Sequence, residues 1–144
     1  MAAKIVVGVD GGDSGIRALD YAMKLARLIE ACELIVVYVI EWSPYSFQTP
    51  DENAERHKRR EEELAAARER IIDPALQSLE KAGFQARGMV RHGDVAEMID
   101  LTALDEGADQ IVVARSGESK FARLFGTATV KLVMNASVPV TVVK

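Results

Sequence analysis

The hydrophobic residues of this chain fall into five short runs rich in valine and isoleucine, and each run predicts a β-strand. Four of the runs are almost continuously apolar, which is typical of strands covered on both faces in a parallel sheet. The third run is more polar because it contains Arg87 and Arg91. The predicted strands cover residues 5–9, 34–40, 86–91, 110–114 and 138–143.

Segments whose apolar residues recur at helical spacing separate the predicted strands. The last of these segments is predicted to form a helix over residues 127–135. The first segment carries its apolar stripe at Ile16, Leu19, Met23, Ala26 and Ile29. Strands that alternate with helices of this length form right-handed β–α–β units, so the sequence predicts an open α/β fold with helices on both faces of the sheet.

Residues at the ends of these segments predict where the elements begin and stop. Asp13 and Ser14 are expected to cap the first helix, and Asp94, with a glutamate three residues later, resembles a capping box. Pro74 is expected to break, kink or restart the second helical segment. Pro139 cannot donate to a strand ladder, so the last strand is expected at an edge of the sheet.

The length of 144 residues and the hydrophobic content of 49% predict one globular domain over residues 1–144. A net charge of −4 argues against a general affinity for nucleic acid. The basic stretch 56–60 is interpreted as a solvated helix face because three glutamates follow it. No apolar run is long enough to cross a membrane, and no signal-peptide pattern is present. The single cysteine, Cys32, fits a reducing compartment, so the expected location is the cytoplasm.

Two loops that follow predicted strands form the candidate functional site. The first strand leads into Asp10 and Gly11, and the fourth leads into Ala114 and Arg115. Ligands of open parallel sheets bind at the carboxyl ends of the strands, where the strand order reverses. Residues 114–129 also combine glycines, hydroxyls and cations ahead of a predicted helix N-terminus, a pattern that suits a phosphate. The sequence therefore indicates a phosphorylated small molecule as the ligand.

Several motifs resemble those of universal stress proteins. They include the first strand with Asp10-Gly11, the segment Gly93-Asp94-Val95-Ala96-Glu97, the fourth strand, Gly126-Thr127 and the closing Ser137-Val138-Pro139-Val140. The resemblance covers essentially the whole chain apart from the charged segment near 41–70. It implies a Rossmann-like, five-stranded parallel sheet in the order 3-2-1-4-5. It also implies a homodimer through the last strand, whose apolar residues are Val138, Val140 and Val142.

The ATP-binding branch of that family carries a motif of glycine, two residues, glycine, nine residues, then glycine and serine or threonine. Here Ala114 stands at the first glycine, Gly117 matches the second, and eight residues separate Gly117 from Gly126. The resemblance implies ATP or AMP as the ligand, with Asp10 and Val39 bordering the adenine. The other residues of the expected nucleotide site are Gly11, Ala114, Arg115, Gly117, Gly126, Thr127 and Ala128.

Three functions are consistent with these residues. The first is an adenine-nucleotide-binding stress-response or signalling protein with no catalysis or only slow turnover. The second is a dimeric interaction module of the same fold that binds no nucleotide, which Ala114 and the shortened loop favour. The third, an enzyme that activates substrates with ATP, is least favoured because the sequence shows no catalytic triad and no cluster of metal ligands. For Asp10 itself two roles stay open, contact with the ligand and capping of the turn that follows it.

Overall fold

The computed structural model describes residues 2–41, 50–115 and 120–144, with their side chains apart from those of 120–127. The strands are β1 (Ala3–Val9), β2 (Cys32–Glu41), β3 (Gln85–Gly93), β4 (Gln110–Ala114) and β5 (Val140–Val143). The helices are α1 (Asp13–Leu28), α2 (Pro50–Ala67), α3 (Asp73–Lys81), α4 (Val95–Glu106) and α5 (Lys120–Asn135). A π-helical turn at Arg68–Ile72 joins α2 directly to α3.

The five strands form one parallel sheet in the order β3-β2-β1-β4-β5, which confirms the expected fold class and strand order. β1 lies between β2 and β4, with Val7 opposite Val36 on one side and Val112 on the other. The strand order reverses at β1. The carboxyl ends of β1 and β4 therefore lie side by side at the edge of the sheet where a ligand is expected.

Helices cover both faces of the sheet, as the continuous apolar runs predict. α1 and α3 pack on the face that carries Ile5, Val7 and Val36. α4 and α5 pack on the opposite face, which carries Val6 and Ile35. None of these five strand residues has any exposed surface. Their removal from water is a main source of stability, at about 25 cal/mol for each Å² of apolar area.

The start of α5 differs from the prediction. The helix begins at Lys120 rather than at residue 127, so Gly126 and Thr127 lie inside it instead of at its N-terminus. The predicted boundary is wrong because a glycine inside a helix is destabilising by only about 1 kcal/mol. Packing of α5 through Leu132, which is only 2% exposed, offsets that amount.

Both prolines that the sequence singles out lie at the beginning of an element. Pro74 is the second residue of α3, which continues directly from the π-helical turn, so it lies where the helix changes form and does not break it. Pro139 comes directly before β5, and its carbonyl oxygen accepts a hydrogen bond from the amide of Ile111 at 2.9 Å. β5 lies at the sheet edge, as expected.

The π-helical turn lies close against β3. Ile72 is fully buried, and a Cβ atom on Gly88 would lie only 2.3 Å from Cγ2 of Ile72. Arg68 donates a hydrogen bond from Nη1 to the carbonyl oxygen of Gly88 at 3.2 Å. The absence of a side chain at Gly88 therefore allows this turn to approach the sheet.

Gly88→Ala is expected to lower the free energy of unfolding by about 1–3 kcal/mol, because the added methyl group overlaps a fully buried side chain. Urea denaturation measures the change. In an Ile72→Ala background the clashing Cγ2 atom is gone, so the same substitution should be clearly less destabilising. An equal loss in both backgrounds contradicts the close contact as its cause.

Candidate functional site

A cavity of about 250 Å³ opens at the carboxyl edge of the sheet, where the strand order reverses between β1 and β4. Four residues of the expected nucleotide site line it together, namely Asp10, Val39, Ala114 and Ala128. Asp10 follows β1, Val39 lies in β2, Ala114 ends β4, and Ala128 lies on α5. The two strand ends that the sequence places in one crevice therefore do share it. The other residues that line the cavity are Gly8, Val9, Ser14, Tyr38, Glu41, Val95, Ile99, Val113, Thr129 and Leu132.

The carboxylate of Asp10 organises the turn between β1 and α1. Its Oδ1 accepts hydrogen bonds from the amides of Gly12, at 2.9 Å, and Gly15, at 3.1 Å. Its Oδ2 accepts a hydrogen bond from the hydroxyl of Ser14. α1 is thus capped from Asp10, two residues ahead of its N-cap position, and the expected capping by Asp13 and Ser14 is wrong. The Ser14 hydroxyl donates to the carboxylate instead of accepting from a helix amide.

These hydrogen bonds also set the ionisation of the site. Partial burial alone would raise the pKa of Asp10, but the bonds from Ser14 and from two backbone amides outweigh burial and lower the pKa below its ordinary value. Burial raises the pKa of the Tyr38 phenol, and the nearby charges of Asp10 and Glu63 raise it further. At neutral pH this end of the cavity therefore presents a carboxylate acceptor and a protonated phenol.

The rest of the cavity wall is apolar. Val39 and Val113 come from the sheet, Ile99 and Leu132 come from the helices on one of its faces, and each is less than a tenth exposed. A Cβ atom on Gly8 would lie 2.9 Å from Cδ1 of Ile99, so the bare backbone at this position lets α4 approach the sheet. The result is a cavity with largely apolar walls and a few polar groups, an arrangement that suits a partly polar ligand.

Ala114 fits the site without backbone strain. It is the last residue of β4 and has a negative φ, a conformation that any residue adopts. A glycine is required only where φ is positive or where the backbone must be approached very closely. At this position the departure from the family motif therefore adds one methyl group to the cavity wall and no conformational cost.

The remaining expected residues have other positions. Gly11 has a φ of +82° and lines a second cavity, of about 380 Å³, between α1 and the segment of the π-helical turn and α3. Arg115 is exposed directly after β4, and its amide donates to the carbonyl oxygen of Val143 at 2.7 Å. Gly126 and Thr127 lie in α5, and Gly117 lies outside the described residues. Gly11 and Arg115 therefore do not line the first cavity themselves. Each directly follows a residue that does, Asp10 and Ala114 respectively.

Sequence reasoning missed several residues that line this cavity. Tyr38 and Glu41 lie at the carboxyl end of β2, the strand beside β1, and that position is the signal that could have identified them. Ile99 and Leu132 carry no such signal. Helical spacing of apolar residues predicts burial, and it does so equally for the core and for the wall of a pocket.

The described residues offer little support for other kinds of functional site. Within the ranges that the structure describes, no group of three or more histidine, cysteine, aspartate or glutamate residues is placed to hold a metal ion. Burial raises the pKa of the Cys32 thiol, and the carboxylates of Asp109 and Glu33 raise it further, so the thiol is protonated at neutral pH. The described helices include none with the length and apolar character needed to cross a membrane.

Comparison with known sequences gives a match over the full chain. The sequence model of the Universal stress protein family matches residues 1–144. A universal stress protein of the archaeon Methanocaldococcus jannaschii is 28% identical over 142 residues, which cover 98% of this chain and 81% of that protein.

Comparison with solved structures shows the same fold. Universal stress protein UspA of Lactobacillus plantarum superposes with a TM-score of 0.77 at 24% identity, covering 99% of this chain and 97% of its own. A universal stress protein family member of Arabidopsis thaliana, solved with AMP bound, superposes with a TM-score of 0.67 at 16% identity, covering 99% of this chain and 91% of its own.

Asp10→Ala is expected to lower the free energy of unfolding by about 1–2 kcal/mol at neutral pH, because it removes the acceptor that caps α1. Asp13→Ala is the matched control. It removes a carboxylate of the same turn, and that carboxylate makes no capping hydrogen bond. The free energy of unfolding is therefore expected to fall by about 0.5 kcal/mol or less. Urea denaturation of the three proteins measures both changes.

The pH dependence of the Asp10→Ala effect follows from the lowered pKa of Asp10. A carboxyl group with a lowered folded-state pKa stabilises the protein fully above its unfolded-state pKa of about 3.9, and the contribution disappears as the pH falls through the folded-state value. The difference between the wild-type protein and Asp10→Ala should therefore be constant near neutral pH and shrink below pH ~4. A difference that grows on acidification contradicts the capping role.

Proposed function

This chain belongs to the universal stress protein family, and from that premise we propose that it binds an adenine nucleotide, ATP or AMP, in the cavity between β1 and β4. In this proposal it is a stress-response or signalling protein that turns nucleotide over slowly or not at all. The observation that carries the proposal is the cavity itself, which gathers Asp10, Val39, Ala114 and Ala128 from four separate parts of the chain.

The chemistry of the cavity supports a base as the occupant. Val39 and Leu132 belong to an apolar wall that suits the faces of a flat ring, and Tyr38 and Thr129 add hydroxyls. Asp10 accepts three hydrogen bonds within the protein, whereas two carboxylate oxygens together accept about four. One acceptor position is left for a donor such as the amino group of adenine.

The size of the cavity sets which part of a nucleotide fits inside. About 250 Å³ is close to the lower end of the ~300–1,000 Å³ that is usual for ligand pockets. A base with its sugar matches that volume better than a whole triphosphate. In the proposed arrangement the phosphates extend from the cavity towards the residues that follow β4. AMP bound to the Arabidopsis thaliana relative supports the same class of ligand.

The alternative is a dimeric interaction module that binds no nucleotide. The internal hydrogen bonds of Asp10 favour it, because they give this residue a structural role that needs no ligand. Two measurements separate the alternatives. One is mass analysis of small molecules released from the purified protein, and the other is calorimetric titration with ATP, AMP and adenosine. Absence of binding at millimolar nucleotide supports the interaction module.

Ala128→Leu is expected to weaken nucleotide binding at least about 10-fold, because three added carbon atoms occupy space inside the cavity. Leucine keeps a high helix propensity, so α5 should stay intact. The matched control is Ala65→Leu, the same substitution at an exposed position of α2. It should leave both affinity and melting temperature unchanged. Equal affinity of all three proteins would place the ligand elsewhere.

We also propose a homodimer through the edge strand β5. β5 is the last strand of the sheet, so no strand of the described chain pairs with its outer edge. Val142 in this strand is 37% exposed. Val138 and Val140 instead pack partly against the core, beside α4 and α5. Pairing of β5 with a second copy would bury Val142 and satisfy the free edge.

Val142→Glu is expected to convert the dimer to a monomer, because pairing would bury an unpartnered carboxylate. Analytical ultracentrifugation at tens of micromolar measures the change. Leu28→Glu is the control, since Leu28 is 78% exposed at the end of α1 and lies outside the proposed interface. A wild-type protein that sediments as a monomer, or a Val142→Glu variant that stays dimeric, contradicts an interface through β5.

A further inference from the structure

An arginine outside the expected nucleotide site joins the two loops that frame the cavity. Arg17 lies on α1, and its Nη2 donates a hydrogen bond to the carbonyl oxygen of Arg115 at 2.7 Å. Arg115 directly follows β4. The side chain of Arg17 therefore spans from α1 to the end of β4, across the point where the strand order reverses.

Both ends of this bridge lie next to residues that line the cavity. Arg17 is three residues after Ser14, so the two share one side of α1. Arg115 follows Ala114 in the chain. Ser14 and Ala114 both line the cavity. The guanidinium of Arg17 consequently lies at the rim, on the side from which the chain continues beyond β4.

The charge of Arg17 is available to an anion. A guanidinium has five N–H donors, and the bond to the Arg115 carbonyl uses one. Asp13 and Asp20 are its acidic neighbours on α1, yet within the described ranges no carboxylate lies within 4 Å of Arg17 or Arg115. Among the described residues, neither arginine therefore has a carboxylate counter-ion within 4 Å.

Negative charge also lines the cavity, at the ends of β1 and β2. Asp10 and Glu41 lie there, and Asp10 is ionised because its pKa is lowered. A ligand whose polar base meets Asp10 and whose phosphates point towards the end of β4 is compatible with these charges. The favourable interaction at the rim increases with the number of phosphates.

We propose that Arg17, with Arg115, makes the site prefer a nucleoside triphosphate over the monophosphate. Arg17 acts both by holding the end of β4 in place and by presenting its charge to the outer phosphates. This inference rests on the proposed function and adds to it a specificity-determining residue. Partial exposure of the rim keeps the effect modest, because water and salt screen charges there.

The test compares the dissociation constants for ATP and AMP in the wild-type protein and three variants, by calorimetry at low ionic strength. Arg17→Gln should reduce the preference for ATP over AMP by roughly 5- to 10-fold, with AMP affinity almost unchanged. Arg17→Lys keeps the charge and should retain most of the preference. Arg27→Gln removes the same charge at the far end of α1, where Arg27 lies 5.5 Å from the Phe84 ring centroid, and should change nothing.

Each contrary outcome has a distinct meaning. If Arg17→Gln weakens ATP and AMP by the same factor, Arg17 only supports the fold and the inference is wrong. If the wild-type protein binds ATP and AMP equally well, or if Arg17→Gln has no effect, the inference is also wrong while the proposed function stands. If the wild-type protein binds neither nucleotide, the proposed function fails and the inference fails with it.

Discussion

The reversal of strand order at β1 is the constraint on which the rest of the structure depends. Crossovers between parallel strands are right-handed, so growth of the sheet from β1 towards β3 places its helices on one face, and growth towards β5 places them on the other. The chain therefore leaves β1 and β4 in opposite directions, and a gap opens between their carboxyl ends. The cavity occupies that gap, and Asp10 holds its near side in place.

Much of the fold was predictable because burial on both faces leaves a clear pattern. Continuous apolar runs are present where helices cover both faces of a strand, and all five predicted strands exist. The ends of α1 and α5 were less predictable. Asp10 caps α1 from outside the usual N-cap position, and α5 was predicted to begin directly after Gly126 although Gly126 lies within it. The cap from Asp10 does not follow the usual N-cap spacing, and the intrinsic propensity of glycine is too weak to fix a helix boundary.

The candidate site was predictable mainly where strands end, and much less on the helices that complete its walls. Asp10 and Ala114 stand at strand ends, a position that the topology itself marks as functional. Ile99 and Leu132 follow the same periodicity as any core residue, and only the packed structure shows that they face a cavity. Net charge was similarly uninformative, since a total of −4 does not show that Asp10 and Glu41 face the cavity while Arg17 contacts the end of β4.

The π-helical turn between α2 and α3 has a consequence for how this protein can vary. Most residues of α2 are exposed, whereas α3 buries Ala75 and Leu79 against the sheet. A π turn holds one residue more than an α turn. It therefore changes the direction in which the side chains of α3 point, around the helix axis, relative to those of α2. Loss of a single residue upstream can be absorbed by converting this turn to the α form. The charged helix can thus be one residue shorter while the buried face of α3 keeps its register.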